Sequence, residues 1–293
     1  MKPLYRDQCL AFQIEKQDIK GRIIRLDKPL NDLFKSLDYA DYVKKELGQA
    51  MALTAMLGSL MKFEGILTLQ IKTDGLIRGL VSDFSTDGNG SGVVRGYVGL
   101  EEDLPANTPV LGKGQMMVTM DQGKYMARYQ GIVKLEQNSL KKSAQEYFLT
   151  SEQLPTCLMI TCDKNHQGDW TAAAIMIQHL ARNSKESPLT EAEEKDHWNT
   201  ATILLSSVKK EELLDKTLSY QDLLIRLYHE SGVRLFTATE INGGCRCSDE
   251  KLRQVLANFH TKELEDMAKD GVITMTCEFC HTAHKFALKK LIN

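Results

Sequence analysis

The last fifty residues carry four of the chain's seven cysteines, Cys245 and Cys247 in "GGCRCS" and Cys277 and Cys280 in "TCEFCH". Thiols grouped in this way can form a disulfide staple, a metal shell, a haem attachment site or a redox switch. Four thiolates close a tetrahedral shell around Zn²⁺ without another ligand, and a closed shell of that kind is structural and not catalytic. A tail this short is near the lower limit for folding on its own core, whereas structural zinc supplies an apparent ~10–16 kcal/mol. Without metal the tail is expected largely to unfold.

Other readings of the same cysteines are open on the residues alone. Cys277-Glu-Phe-Cys280-His281 matches the c-type haem signature, but haem attachment needs no partner Cys-x-Cys and accompanies export. His281 or His284 can replace one cysteine in a Cys₃His shell. Thioredoxin-like chemistry wants its CxxC at a helix start, and here the motif lies between short extended pieces. The single residue between Cys245 and Cys247 is short for a structural zinc knuckle, yet it brings the pair close enough to close a small-ring disulfide. Thiolates are the form that peroxide and hypochlorous acid attack, so such a shell can sense oxidant. Loss of the ion then turns a chemical event into an unfolding event.

Composition narrows the setting. The chain has 293 residues, of which 26% are charged and 42% apolar, so it is expected to fold as an ordinary globular protein. A net charge of −2 leaves no global positive field for nucleic acid or anionic lipid, and neither is expected as a partner. The opening "MKPLYRDQCLAFQIEKQD" has no signal-peptide apolar stretch, and "MALTAMLGSLMKF" is too short to span a bilayer. A cytoplasmic protein is expected, and in that compartment a cysteine cluster points to metal or redox chemistry more than to a permanent staple. No enzyme is expected: "STDGNGSGVVRGYV" lacks the Lys-Ser/Thr of a P-loop and reads as a hairpin loop, and no HExxH or Ser/His arrangement is apparent.

The elements that must position the cysteines follow from periodicity. From Asp38, as N-cap, to Gly65, as stop, Val43, Leu47, Met51, Thr54, Leu57 and Met61 recur at helical spacing. "ILTLQIKTDGLIRGLVSDF" and "QMMVTMDQGKYMARYQGIV" alternate as β-hairpins around Asp74-Gly75 and Gln122-Gly123. A helix "SLKKSAQEYFLTSEQ" and the strands "TCLMITCDKN" and "DWTAAAIMIQHL" follow. Because strands follow strands, the fold class is α+β: an N-terminal mixed α/β domain with antiparallel hairpins over residues 1–182, a helical linker over 183–233, and a small C-terminal zinc-binding redox-switch domain over 234–293. The linker is marked by "RNSKESPLTEAEEKDHW" with Pro188, by capping-box spacing at Thr190/Glu193 and Ser219/Asp222, and by Gly232 as a helix stop. "LFTATEINGGCRC" reads as a short extended approach to the cysteines. Beyond it, Leu252, Val255, Leu256 and Phe259 share one helical face, a second helix has Thr261 as cap and Gly271 as close, and "VITMTCEFCHTAHKFAL" reads as a hairpin with CxxC at its turn. Cys9, Cys157 and Cys162 lie in apolar stretches as small buried hydrophobes, and Trp170 and Trp198 anchor a strand and a linker helix.

With these motifs in place the chain resembles the redox-regulated heat-shock chaperone family Hsp33 over essentially its whole length. The likeness is carried by the CxC and CxxC at this spacing, and by "LLIRLYHESGVRLF", "KELEDMAKDG", "LGQAMALTAMLGSLMKFEGILTLQIKTDG", "RYQGIVKLE", "EYFLTSEQLPT" and "AAAIMIQHL". Gln49, where the family often has an acidic residue, and the turn "KTDG" depart from it outside the switch. The resemblance implies an ATP-independent holdase for unfolded client proteins, inactive when reduced and zinc-bound. It implies that Cys245, Cys247, Cys277 and Cys280 bind one zinc ion when reduced and form the disulfides Cys245–Cys247 and Cys277–Cys280 when oxidised, with release of zinc and disorder of tail and linker. It further implies a homodimer on activation. Met51, Met56, Met61, Met116, Met117, Met120 and Met126 fit an adaptable surface in part, but most are expected in the core. The alternative class is a zinc-ribbon adaptor binding nucleic acid or a protein partner, supported by Lys285, Lys289 and Lys290.

Overall fold

The computed structural model describes residues 6–15, 17–101, 105, 107–123, 127–135, 139–179 and 190–292. Met126 and the Pro188 stretch of the expected linker lie outside them. In chain order the elements are β1 (Gln8–Ile14), β2 (Ile19–Leu26), α1 (Lys28–Ser36), α2 (Asp41–Gly58), β3 (Gly65–Thr73), β4 (Ile77–Thr86), β5 (Ser91–Leu100), β6 (Gly114–Asp121), β7 (Tyr129–Lys134), α3 (Leu140–Ser151), β8 (Thr156–Lys164) and β9 (Trp170–His179). They continue with α4 (Glu191–Ser206), α5 (Lys210–Leu214), α6 (Tyr220–Tyr228), β10 (Val233–Gly243), α7 (Asp249–Leu256), α8 (Thr261–Met267), β11 (Val272–Thr276), β12 (Ala283–Ala287) and α9 (Lys289–Ile292).

The first ten strands form one sheet in the order β7-β6-β3-β4-β5-β10-β1-β2-β9-β8. Every pairing is antiparallel except β10 with β5. Both expected hairpins form, and the glycine-rich "STDGNG" is the turn between β4 and β5. The fold is thus a mixed α/β one built on a large sheet with helices against it. The largest departure from expectation is β10. The presumed short approach to the cysteines is an 11-residue strand at the middle of the sheet, hydrogen-bonded to β1 on one side and β5 on the other. Its own faces are largely exposed, with Phe236 46% accessible, so it lacks the clean apolar alternation that announces a central strand.

Two apolar layers pack on the sheet. On one face α1 and α2 cover Ile24, Leu26, Leu69, Phe84, Ala172, Ala174 and Met176. On the other, α4 to α6 lay Ala201, Leu205, Leu213, Tyr220, Leu223, Leu224 and Tyr228 over Leu10, Phe12, Ile23, Ala173, Ile175 and Ile177. Strand β9 is therefore buried on both faces, which is why "AAAIMI" reads as a continuous apolar run. Trp170 meets Phe34 edge-on at 5.6 Å, and Trp198 packs half-buried against the linker layer. Met51, Met56, Met61 and Met116 are buried.

Local chemistry moved several boundaries. Helix α2 starts after Ala40, not at an Asp38 cap, because Tyr39 Oη donates to Val98 O at 2.8 Å and accepts from Val98 N at 3.1 Å, which fixes the preceding chain on β5. It stops at Gly58, where an added Cβ would lie 2.1 Å from Phe84, and Met61 is buried beyond it. The Thr190–Glu193 capping box and the Ser219 cap form as expected. Gly232, at φ +77°, closes the turn after α6. In the tail Leu252 and Leu256 face inward while Val255 and Phe259 stay exposed, His260 and not Thr261 precedes α8, and Gly271 turns the chain into β11.

Two polar groups inside these layers have measurable consequences. Arg25 on β2 is buried, donates Nε to Leu213 O at 2.9 Å and Nη1 to Leu218 O at 3.3 Å, and faces the Tyr220 ring at 5.2 Å, tying the linker to the sheet. Arg25→Ala strands those carbonyls at about 1–3 kcal/mol each, so proteolysis within residues 191–228 should rise before the sheet unfolds. Unchanged cleavage would show that apolar packing alone seats the linker. Burial pushes the Glu46 carboxyl on α2 from its ordinary 4.5 up to about 7. Its folded pKa is the higher one, so stability is full below 4.5 and declines as pH rises through 7. Glu46→Gln is expected to stabilise the chain by about 1–2 kcal/mol at pH 8 and not at pH 4, read by denaturant unfolding at the two pH values.

Candidate metal centre

The four tail cysteines come together from two turns. Cys245 and Cys247 follow the end of β10, where Ser248 caps α7 by accepting from Lys251 N. Cys277 and Cys280 sit at the β11–β12 turn, closed by Cys277 N to Thr282 O at 3.0 Å and His281 N to Cys277 O at 2.8 Å. His281 takes φ +54°, the left-handed conformation that lets the CxxC turn so tightly. The four Sγ atoms lie within 4.8 Å of one another, with Cys245 and Cys277 at 3.6 Å and Cys247 and Cys280 at 3.5 Å. Tetrahedral Zn–S bonds of about 2.3 Å set sulfurs about 3.8 Å apart, so the donor set fits the ion.

The sequence-predicted ligands are thus assembled, and neither His281 nor His284 joins them. His284 instead places Nδ1 2.6 Å from Asp249 Oδ1. Burial and the crowding of thiols push Cys247 and Cys277 up, since each further negative sulfur repels the others. Burial also opposes ionisation of Cys280, but Thr282 and the Cys247 and Cys245 thiols outweigh it and bring Cys280 down to about 6. A divalent cation favours thiolate at every position and so relieves the repulsion. The other three cysteines behave differently: Cys9 and Cys162 are buried, Cys157 is half-buried, and burial pushes all three thiols up, which keeps them protonated and inert.

Residues outside the cysteine motifs complete the site. Arg95 of β5 binds Asp83 of β4 and stands 3.7 Å from the Phe279 ring centre, and Tyr97 meets Phe279 edge-on at 4.8 Å. Arg246 reaches Asp83 at 2.7 Å. A cavity of about 190 Å³ between Leu33, Met51, Val94, Arg95 and Phe279 opens beside Cys245 and Cys280. Asp83 and Arg95 are direct cross-strand partners, so the register of the "STDGNG" hairpin could have paired them, but nothing in the sequence aims that pair at the tail.

A family model described as Hsp33 protein matches residues 7–287. This chain belongs to the Hsp33 family. A 33 kDa chaperonin of Caulobacter vibrioides (strain NA1000 / CB15N) is 35% identical to it over 293 residues, covering 95% of this chain and 94% of the relative. A 33 kDa chaperonin of Shewanella denitrificans is 33% identical over 284 residues, covering 96% and 92%. The crystal structure of the 33 kDa chaperonin (heat shock protein 33 homolog) of Thermotoga maritima shares the fold with TM-score 0.80 at 22% identity, over 98% of both chains. Membership in Hsp33, a chaperone family and not an enzyme class, supports a chaperone function and the binding of client proteins. No helix among the described residues is long and apolar enough to cross a membrane.

The donor set makes a direct prediction. Reduced protein should carry a single zinc ion per chain, and Cys277→Ala should lose it and melt residues 244–292 while the sheet stays folded. Metal analysis and hydrogen exchange read the two effects. Reduced protein that folds its tail with no bound metal would refute the assignment.

Proposed function

We propose that this chain is a redox-regulated, ATP-independent holdase whose reduced, zinc-bound form is inactive and whose oxidised form binds unfolding proteins in the cytoplasm. The observation that carries the reading is the convergence of Cys245, Cys247, Cys277 and Cys280 within 4.8 Å in a tail with almost no core of its own. That core is Leu256, Leu264, Ile273 and Phe286, too few to hold some fifty residues by burial. Zinc, when bound, keeps the four sulfurs as thiolates and joins the two halves of the tail.

Oxidation pairs Cys245 with Cys247 and Cys277 with Cys280. As the chain is folded, Cys245 Sγ touches Cys277 Sγ at 3.6 Å and Cys247 Sγ touches Cys280 Sγ at 3.5 Å, contacts that run across the two pairs. Neighbour pairing therefore rewinds both turns, and rewinding pulls on Arg246 and Phe279, the residues that hold the tail on β4 and β5. In this reading the linker helices α4 to α6, rooted at the opposite end of β10 from the tail, leave the sheet as well. Their departure uncovers Leu10, Phe12, Ile23, Ile175 and Ile177, a contiguous apolar face suited to unfolded clients and to a second activated copy.

The test follows light scattering of a thermally unfolding client with the chain reduced or peroxide-treated at mildly elevated temperature, alongside zinc release and disulfide mapping. Expected are suppression only after peroxide, zinc loss in parallel, and two neighbour disulfides. Zinc loss without a gain in suppression would sink the proposal.

A further inference from the structure

Few side chains join the cysteine tail to the main sheet, and two of them are guanidinium groups sharing one carboxylate. Asp83 is buried, and Arg95 binds both of its oxygens, with Nε at 3.0 and 3.1 Å and Nη2 at 2.9 Å. Arg246, which stands between two of the gathered cysteines, donates Nη2 to Asp83 Oδ2 at 2.7 Å. Arg95 extends its remaining nitrogen, Nη1, to 3.7 Å from Cys245 Sγ. The arginine side chains are mostly covered, 15% exposed for Arg95 and 26% for Arg246. Two such cations against one buried anion leave a positive charge unmatched within the trio, and the sulfur cluster touching Arg95 through Cys245 is placed to match it.

We propose that Asp83 is a positioning residue that docks the cysteine tail on the sheet through Arg95 and Arg246, and that the dock is free of net positive charge only while the cysteines are thiolates. The second half rests on the oxidation described above. Each disulfide forms as two thiolates pass two electrons to hydrogen peroxide, which takes up two protons and leaves as two waters. Four thiolates on Zn²⁺ carry two net negative charges; two disulfides carry none, and the ion departs as Zn²⁺. Around Asp83 the local charge then changes from one net negative to one net positive, in a place where water screens poorly. Arg246 and Arg95 repel each other, and the tail leaves the sheet.

The experiment uses the full chain, first reduced and zinc-loaded, as wild type, Asp83→Asn, Arg246→Gln and the double variant. Zinc transfer to a chromogenic chelator and hydrogen exchange over residues 244–292 are measured, with exchange in β1, β2 and β9 as the control for folding. Asp83→Asn should speed transfer about tenfold and raise exchange in the tail alone. Adding Arg246→Gln should bring the rate back to within about threefold of wild type, since one cation leaves with one anion. A double variant as fast as Asp83→Asn, or an Asp83→Asn chain equal to wild type, would overturn the proposal. In a peroxide arm, Arg246→Gln should keep its tail docked longer than wild type at equal zinc release, and identical undocking would overturn the dependence on oxidation. The reduced arms use no oxidant or client, so they can succeed where the holdase reading fails, and fail where it succeeds.

Discussion

Everything in the C-terminal part depends on four sulfurs being held in one place. The tail's helices and hairpin are short, its core is a handful of side chains, and several of its larger apolar groups, among them Val255, Phe259 and Met267, face solvent. A fold of that kind has little stability of its own, and an ion held by the four sulfurs, as proposed, would supply most of it. The physical price of the arrangement is that stability and reactivity reside in the same atoms, because the thiolate that binds metal is also the nucleophile that oxidant consumes.

The contrast with the main domain is one of redundancy. There, β9 is buried on both faces, α2 lies along the sheet with nearly every inward residue covered, and Gly48 brings that helix so close to Cys162 that an added Cβ would lie 2.4 Å from its sulfur. Loss of any one contact leaves many others. The linker stands between these extremes. Its apolar side chains cover one face of the sheet, yet it also leans on polar ties such as Arg25 and the Lys210–Asp163 pair, which water can replace more readily than it can replace apolar burial.

How much of this was legible beforehand follows from which forces are local. The hairpins, the Thr190–Glu193 cap and the CxxC turn are set by residues a few positions apart, and the sequence displays them. The gathering of Cys245, Cys247, Cys277 and Cys280 was legible because both close pairs of thiols fall in one short tail. Boundaries set by tertiary contact were not: Tyr39 reaching Val98 delays α2, and Phe84 packed on Gly58 ends it early. The docking trio of Asp83, Arg95 and Arg246 joins positions 163 residues apart and has no periodic signature. Strand β10 was missed for a related reason, since its place comes from backbone partners on two other strands while its side chains follow no apolar rhythm.

The position of β10 bears on how the chain can come apart and return. Linker and tail flank a strand that is bonded on both sides, so each is a tethered arm with a fixed root. The chain between β9 and β10 is held by the sheet at both ends, so seating its helices is a loop closure whose entropy cost grows only slowly with length. Among the described residues the same strand is also the only strand that joins β7-β6-β3-β4-β5 to β1-β2-β9-β8. A chain cut before Val233 would therefore present two raw edges, β5 and β1, each a template for pairing with another chain.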